Sequence, residues 1–197
     1  LRYINFNEFY RQLRRVAGEL CVILTANKDN YIVFQIDVDI YKSNTWTFLL
    51  MFGLIKDVIH ANNMSDNIYF NVQFGGNDFI TFVKNGDIID VVKKANETGK
   101  TVVLIIPDDM SYSGMQIKKH INTFYSTYFK TLYGFGTDKC KYKTYLALCY
   151  ISSNAAKLLK NDKQYKNLNL LESTEIIPNF YDIANNYIPS EAEKKKH

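Results

Sequence analysis

The chain has 197 residues, of which 47% are hydrophobic and 22% charged, with only nine Gly and three Pro. This composition supports one sizeable core and excludes a disordered, collagenous or linker-dominated protein. The net charge of +4 permits an anionic partner without requiring nucleic acid. Three widely spaced cysteines argue against a disulfide framework and favour a reducing compartment. We expect one domain over residues 1–197 that is less regular over 152–197.

No segment of the sequence predicts a membrane partner. The longest apolar stretch, residues 46–55, is about half as long as a membrane-spanning helix must be. The first residues lack the basic-then-apolar order of a signal peptide. We therefore expect a cytoplasmic protein.

The first third of the chain predicts a helix, a strand and a second helix. Asn5 and Glu8 have the spacing of a capping box, and apolar residues then recur at helical spacing. Alternation over 31–41 predicts a strand. Ser43 or Asn44 can cap a helix that is apolar on nearly all sides, which predicts burial of its side chains, Trp46 and Met51 included.

The middle of the chain has the pattern of a hairpin followed by a helix. Residues 68–74 and 79–83 are rich in strand-forming residues, and the Gly75-Gly76 turn between them suits a hairpin tip or a mobile loop. A short helix is then expected from Asp87 through Lys94, with Gly99 as the C-cap that terminates it.

The last part alternates between strands and helices. Residues 101–106 are apolar without alternation, which is typical of a strand buried on both faces of a parallel sheet. A helix over 115–129, a strand over 142–151 and a short helix over 154–159 follow. This order predicts an α/β fold with a central, mainly parallel sheet flanked by helices.

Two carboxylates and a polar loop follow the predicted central strand. In open parallel sheets, ligands bind beyond the carboxyl ends of the strands, where Asp108 and Asp109 are expected. The loop from Met110 to Gly114 leads into a helix, whose first N–H groups attract an anion the size of a phosphate. A ribose 5-phosphate suits both features, with its phosphate in the loop and its hydroxyls on the carboxylates. The same residues also suit a solvated loop and a helix cap.

The stretch resembles the phosphoribosyl diphosphate signature of type I phosphoribosyltransferases. That signature is an apolar strand, Asp-Asp, two residues, Thr-Thr-Gly, one residue and Thr. Asp108, Asp109 and Gly114 match it, whereas Tyr112 and Ser113 replace the paired threonines. Gln116 replaces the last threonine, and Pro107 before the acids is a further departure.

The surrounding sequence resembles the same family. A Gly-Lys turn precedes the strand at Gly99, as in the family, and the hairpin tip at Gly75 and Gly76 corresponds to its mobile loop. The family's diphosphate loop, often Lys-Gly, corresponds to Lys42-Ser43, although the glycine is missing.

The resemblance implies a role for each of these residues. Asp108 and Asp109 would hold the ribose hydroxyls, and residues 110–114, including Ser111, would hold the 5-phosphate. Lys42 and Ser43 would meet the diphosphate, and the loop at Gly75 and Gly76 would close the site. Mg²⁺ would be carried mainly by the substrate diphosphate, so no protein metal ligands are expected. The implied reaction transfers ribose 5-phosphate from phosphoribosyl diphosphate, or from a nucleoside monophosphate, to or from a nitrogenous base.

Three further readings stay open at this point. The same fold could serve as a non-catalytic sensor of a ribose phosphate or nucleotide, because fold does not settle activity. A nucleic-acid-binding module using Lys139, Lys141 and Lys143 is less favoured, since the aromatic residues lie in apolar runs. A homodimer is compatible with either activity.

Overall fold

The computed structural model describes residues 4–38, 43–74, 88–111, 113–124, 141–161 and 167–178. Within these ranges the chain forms a six-stranded sheet in which every strand pairing is parallel. The helices are α1 (Phe6–Ala26), α2 (Ser43–Ala61), α3 (Ile88–Thr98), α4 (Met115–Phe124) and α5 (Ser153–Asn161), with a short 3-10 helix at Met64–Asp66. The strands are β1 (Tyr31–Val38), β2 (Ile68–Phe74), β3 (Val102–Ser111), β4 (Tyr142–Ser152), β5 (Leu168–Leu170) and β6 (Glu175–Ile177).

The sheet has the strand order β2-β1-β3-β4-β5, and β6 pairs with β4 beyond the end of β5. Helices cover both of its faces. On one face, α1 and α2 pack on a core that includes Phe34 and Ile105. On the other face, α3, α4 and α5 pack on a core that includes Leu104 and Leu148. The predicted α/β class, with a mainly parallel central sheet flanked by helices, is confirmed.

Local signals placed several element ends correctly. The side-chain oxygen of Asn5 accepts a hydrogen bond from the Glu8 N–H at 2.9 Å, which is the predicted N-cap of α1. Gly99 has a φ of +67° directly after α3, the left-handed conformation in which helices commonly end. No helix among the described residues is long and apolar enough to cross a membrane.

Three expectations need correction or extension. Trp46 is 61% exposed, so its predicted burial is wrong, whereas Met51 is fully buried as predicted. The strand β3 runs five residues past Ile106, the predicted end. The region 152–197, expected to be less regular, contributes the strands β5 and β6 to the sheet. The second hairpin strand at 79–83 and its tip lie outside the described residues.

Candidate functional site

The candidate site lies where the strand order reverses. The chain passes from β1 outward to β2, then returns across β1 to β3 and continues outward in the other direction. In this doubly wound order, the crevice between the carboxyl ends of β1 and β3 is the topological switch point, where ligands bind. The helix that follows β1 covers one face of the sheet, and the helix that follows β3 covers the other. The N-termini of α2 and α4 therefore flank the same crevice from opposite faces.

Pro107 explains why the two strands separate there. The Thr101 carbonyl accepts a hydrogen bond from the Tyr31 N–H on β1. The Val102 N–H donates in the other direction, to the Lys141 carbonyl directly before β4. Because neighbouring residues of a parallel strand direct their backbone groups to opposite sides, Pro107 faces β1. Proline has no N–H to donate, and the described β1–β3 pairing ends at Phe34 with Ile105. The sequence departure at Pro107 thus coincides with the opening of the crevice.

The two acids belong to the strand β3 rather than to a loop. The strand keeps its register with β4 through Ser111, which pairs with Ile151. The predicted loop of residues 110–114 is therefore shorter than expected, because Met110 and Ser111 are strand residues. Asp108 is only 7% exposed, and its Oδ1 accepts a hydrogen bond from the Asp109 N–H at 2.9 Å. Asp109 and Met110 are half-buried.

The pleat of the sheet changes beside Asp109. The β3–β4 ladder pairs Asp108 with Leu148 and Met110 with Tyr150, and the Asp109–Cys149 pair between them is absent. Cys149 and Tyr150 both pack in the core beneath α1 and α2, so the alternation of faces is broken at this point.

A buried glutamine on α1 supports the irregular part of β4. The Gln12 amide donates to the Cys149 carbonyl at 3.1 Å and also to the Ser173 carbonyl. A buried carbonyl outside a regular ladder needs such a donor. The sequence interpretation missed Gln12, although a glutamine three residues after Phe9, on the apolar side of an amphipathic helix, is a usable signal for a buried polar contact.

The pKa of the Cys149 thiol depends on its burial and on the two carboxyl groups of β3. Burial raises the pKa of its thiol from 9.0 to about 12, and the carboxylates of Asp109 and Asp108 add to this shift. Both acids thus act on the same thiol through space, which places the thiol near each of them.

The pH dependence of stability should reveal this thiol. The folded state keeps the Cys149 proton between pH 9.0 and about 12, whereas the unfolded chain loses it. Stability is therefore lost as pH rises through this window, by about 1.4 kcal/mol per pH unit from this thiol. Urea unfolding at successive pH values above 9 measures how steeply the free energy of unfolding falls with pH. This fall should be less steep for Cys149→Ala than for the original chain. Cys21→Ala is the control and should retain the Cys149 contribution; equal slopes for Cys149→Ala and the original chain would contradict the assignment.

The connection from β3 to α4 is short and tightly packed. Gly114 is buried with a φ of +71°, and a Cβ added to it would lie 3.4 Å from Leu158 Cδ2 and 3.6 Å from Ala155 Cβ. Its backbone thus packs against α5, where a side chain would not fit freely. The Ser113 hydroxyl oxygen accepts from the Met115 N–H at 3.2 Å and so caps α4. The capping role that the sequence allowed for this serine is therefore present.

The remaining predicted site residues are only partly placed. Ser43 is the first residue of α2, at the edge of the crevice next to β1. Lys42, Tyr112, Gly75 and Gly76 lie outside the described residues. The structure therefore places the acids in β3 and places Ser113 and Gly114 directly before α4, whereas a joint site, the diphosphate loop and the closing loop stay predictions.

The carboxylates fit Mg²⁺ as a partial ligand set. Asp108 and Asp109 offer hard oxygen ligands, which Mg²⁺ prefers. Among the residues that the structure describes, no three His, Cys, Asp or Glu side chains come together as a metal site. An ion here would take most of its ligands from water and from substrate phosphates.

Comparisons with known proteins find distant likeness to solved structures and no match in sequence. A scan of protein-family models and a search of curated proteins find no match. The chain is similar to a crystal structure of hypoxanthine-guanine phosphoribosyltransferase from Schistosoma mansoni in complex with IMP, with 11% identity and a TM-score of 0.43. The similarity covers 89% of this chain and 66% of that enzyme chain, so this chain spans just under two thirds of its length. So distant a likeness assigns neither a family nor an activity.

Proposed function

We propose that the chain binds phosphoribosyl diphosphate or a nucleoside monophosphate and transfers ribose 5-phosphate to or from a nitrogenous base. One observation carries this proposal. Asp108 and Asp109 lie near the carboxyl end of the strand β3, which borders the topological switch point, and α4 begins a few residues later. A negatively charged strand end beside a helix N-terminus suits a ligand with hydroxyl groups on one side and a phosphate on the other.

The N-terminus of α4 supplies the phosphate end of this arrangement. Its first N–H groups and the positive end of its dipole favour an anion. Gly114 adopts a φ of +71° without strain and so allows the tight turn from β3 to this helix. The Ser113 hydroxyl, exposed beside the first turn, retains its hydrogen for donation to a phosphate oxygen.

The acids supply the hydroxyl end. Carboxylates accept hydrogen bonds from the two ribose hydroxyls, and such charge-assisted bonds are the stronger class. Asp108 is buried and Asp109 half-buried, so their bonds to a ligand are less screened than those of surface carboxylates. This pair would fix the sugar ring relative to the helix that holds its phosphate.

Transfer at the anomeric carbon passes through an oxocarbenium-like state, so the protein needs no strong nucleophile of its own. Orientation, charge stabilisation and exclusion of water are the main contributions. In this proposal Lys42 and Ser43, next to the N-terminus of α2, meet the diphosphate, and the loop at Gly75 and Gly76 closes over it. Mg²⁺ bound to the diphosphate would offset its charge.

Thermal unfolding tests the binding step. Phosphoribosyl diphosphate with Mg²⁺ at about 100 times its dissociation constant should add about 2.7 kcal/mol to stability, which for a chain of this size is a rise in Tm of about 5 to 10 °C. Ribose 5-phosphate and inorganic diphosphate, each with Mg²⁺, are the matched controls and should give smaller shifts. No shift with millimolar phosphoribosyl diphosphate, with or without Mg²⁺, would contradict the proposal.

A second candidate function is a non-catalytic sensor of the same ligands. It is favoured by the position of Ser111, which lies buried within β3 and not in the loop that would hold the phosphate. Release of diphosphate across a panel of purine, pyrimidine and orotate acceptors separates the two functions. Binding of ribose 5-phosphate without turnover on any acceptor favours the sensor.

The nucleic-acid alternative concerns another part of the molecule. Lys141 and Lys143 are exposed at the amino end of β4, whereas the acids lie near the carboxyl ends of the strands. Binding of this kind would weaken steeply with salt. It would also be insensitive to changes at Asp108 and Asp109.

A further inference from the structure

Two consecutive carbonyl groups of β4 are bound by side chains next to the acids of β3. The Leu148 carbonyl accepts a hydrogen bond from the Thr174 hydroxyl at 2.9 Å. The Cys149 carbonyl accepts one from the Gln12 amide at 3.1 Å. A buried carbonyl outside the regular ladder needs such a partner. The two side chains therefore mark the level at which the regular pairing of β4 is interrupted.

The interruption changes which side chains face the core beneath α1 and α2. Ile105 of β3 lies in that core, so a regular alternation along the strand would place Asp109 there as well. Met110 packs against this core instead. The strand β4 changes at the same level, since Cys149 and Tyr150 both lie in that core. The break in the pleat therefore places a methionine where a carboxylate would otherwise lie.

The Gln12 amide binds the carbonyl that an unbroken ladder would use. The Val102 N–H donates to the Lys141 carbonyl, and this relation repeats every two residues along a parallel pair. Continued to the end of β3, it would join the Met110 N–H to the Cys149 carbonyl. The ladder is interrupted at this level, and Gln12 donates to that carbonyl. Gln12 therefore stabilises the interrupted ladder relative to a regular one.

The turn between β5 and β6 fixes the Gln12 side chain. The Gln12 amide also donates to the Ser173 carbonyl in this turn. The Glu19 carboxylate, farther along α1, accepts from the Glu172 N–H at 3.0 Å and from the Ser173 N–H at 2.8 Å. Because β6 then pairs with β4 from Tyr150 onward, α1, the turn and the break in β4 are joined at one level.

We propose that Gln12 is a positioning residue for Asp109, because its bond to the Cys149 carbonyl maintains the break in the pleat and so directs the Asp109 carboxylate into the crevice between β1 and β3. Without the break, this carboxylate would face an apolar core, where burial of a charge is costly. The direction of the Asp109 side chain requires no ligand, whereas the effect on binding rests on the proposed function. The two are therefore tested separately.

Thiol labelling tests the direction of the side chain at position 109 without a ligand. Asp109→Cys provides a thiol for a maleimide reagent after Cys21 and Cys140 are replaced by Ser, and Cys149 is buried and reacts slowly. Adding Gln12→Met should slow the labelling about tenfold or more, because the new thiol would then face the core. An unchanged rate in a folded Gln12→Met variant would overturn the proposal.

The matched control for Gln12→Met is Thr144→Val. Thr144 is a fully buried polar residue at the amino end of β4, far along the strand from the break. Its replacement should lower stability without changing the rate of labelling. Slower labelling with Thr144→Val as well would overturn the proposal, because any loss of stability would then have the same effect.

A double-mutant cycle tests whether Gln12 acts on the ligand through Asp109. Gln12→Met should weaken binding of phosphoribosyl diphosphate with Mg²⁺ about tenfold, since one hydrogen bond to a charged group is lost. After Asp109→Asn it should have little further effect, whereas after Asp108→Asn it should keep its full effect. Equal effects in all backgrounds would overturn the proposal. Slower labelling in a chain that binds no phosphoribosyl diphosphate would support the positioning of Asp109 and contradict the proposed function instead.

Glu19→Gln keeps the test valid if Gln12→Met fails to fold. Gln has one acceptor oxygen for the two N–H groups of the turn, so one of the two bonds is lost and Gln12 is fixed less firmly. Labelling of the Asp109→Cys thiol should slow in the same direction by a smaller factor. Glu97→Gln, at an exposed residue of α3, is the control and should change nothing. An unchanged rate with Glu19→Gln, when Gln12→Met does not fold, would overturn the proposal.

Discussion

Replacing Asp108 and Asp109 together by Asn is expected to weaken binding of phosphoribosyl diphosphate by about 100-fold or more, because each hydrogen bond to a charged group contributes about 1.5 to 3 kcal/mol. The far-UV circular dichroism should not change. Asn has the size of Asp and retains a side-chain oxygen, so the bond that Asp108 Oδ1 accepts from the Asp109 N–H can persist. Titration calorimetry with Mg²⁺ present measures the loss of affinity.

The control for this double variant is Asp90→Asn, which removes an exposed carboxylate of α3 from the surface. It should bind phosphoribosyl diphosphate as the original chain does. Unfolding of the double variant would instead mean that the acids are structural. Unchanged affinity in a folded double variant would show that the ligand binds elsewhere.

Gly114→Val is expected to reduce the free energy of unfolding by about 3 kcal/mol, through backbone strain and overpacking together. A β-branched residue is poorly accommodated at a φ of +71°, and its side chain would press on Leu158 and Ala155 of α5. The same change should abolish ligand binding, because the loop in front of α4 must move to relieve the contact. Urea unfolding and thermal shift with phosphoribosyl diphosphate measure the two effects.

Gly99→Val separates the two causes. Gly99 has a similar φ of +67°, but a Cβ added to it meets nothing within 4 Å, and it lies at the end of α3 that precedes β3. Gly99→Val should therefore lower the free energy of unfolding through backbone strain alone, without overpacking against a neighbour. Ligand binding should be retained. Equal losses of stability at the two glycines would mean that the contact with α5 contributes nothing.

The central strand β3 shows which features of the fold can be predicted from local sequence. An unbroken apolar run predicted a strand buried on both faces, and Val102 to Ile106 are buried in the middle of the sheet. The predicted end at Ile106, directly before Pro107, was wrong, because a proline interrupts pairing only on the side to which its nitrogen points. That side depends on which strands are neighbours, and local sequence carries no record of strand order.

The surface of α2 illustrates a second limit. Hydrophobicity around the whole helix predicted that Trp46 is buried, but an even distribution of apolar residues does not tell which side the sheet covers. The strands β5 and β6 were missed for a simpler reason, since three residues are too few to reveal alternation. The acids could be proposed as a candidate site because strand end, helix start and charge lie within one short stretch of sequence, and their role in binding stays a prediction.

The break at Pro107 also divides the sheet mechanically. Seven described residue pairs join β1 to β2 and nine join β3 to β4, whereas four join β1 to β3. Among the seams that join the four longest strands, the one beneath the crevice therefore has the fewest described pairs, and all of them lie at the amino end. We expect β1 and β3 to separate first at the carboxyl end of this seam, where no described pair joins them. A ligand that contacts both sides of the crevice would hold β1 and β3 together. Amide hydrogen exchange in both strands should then slow on binding.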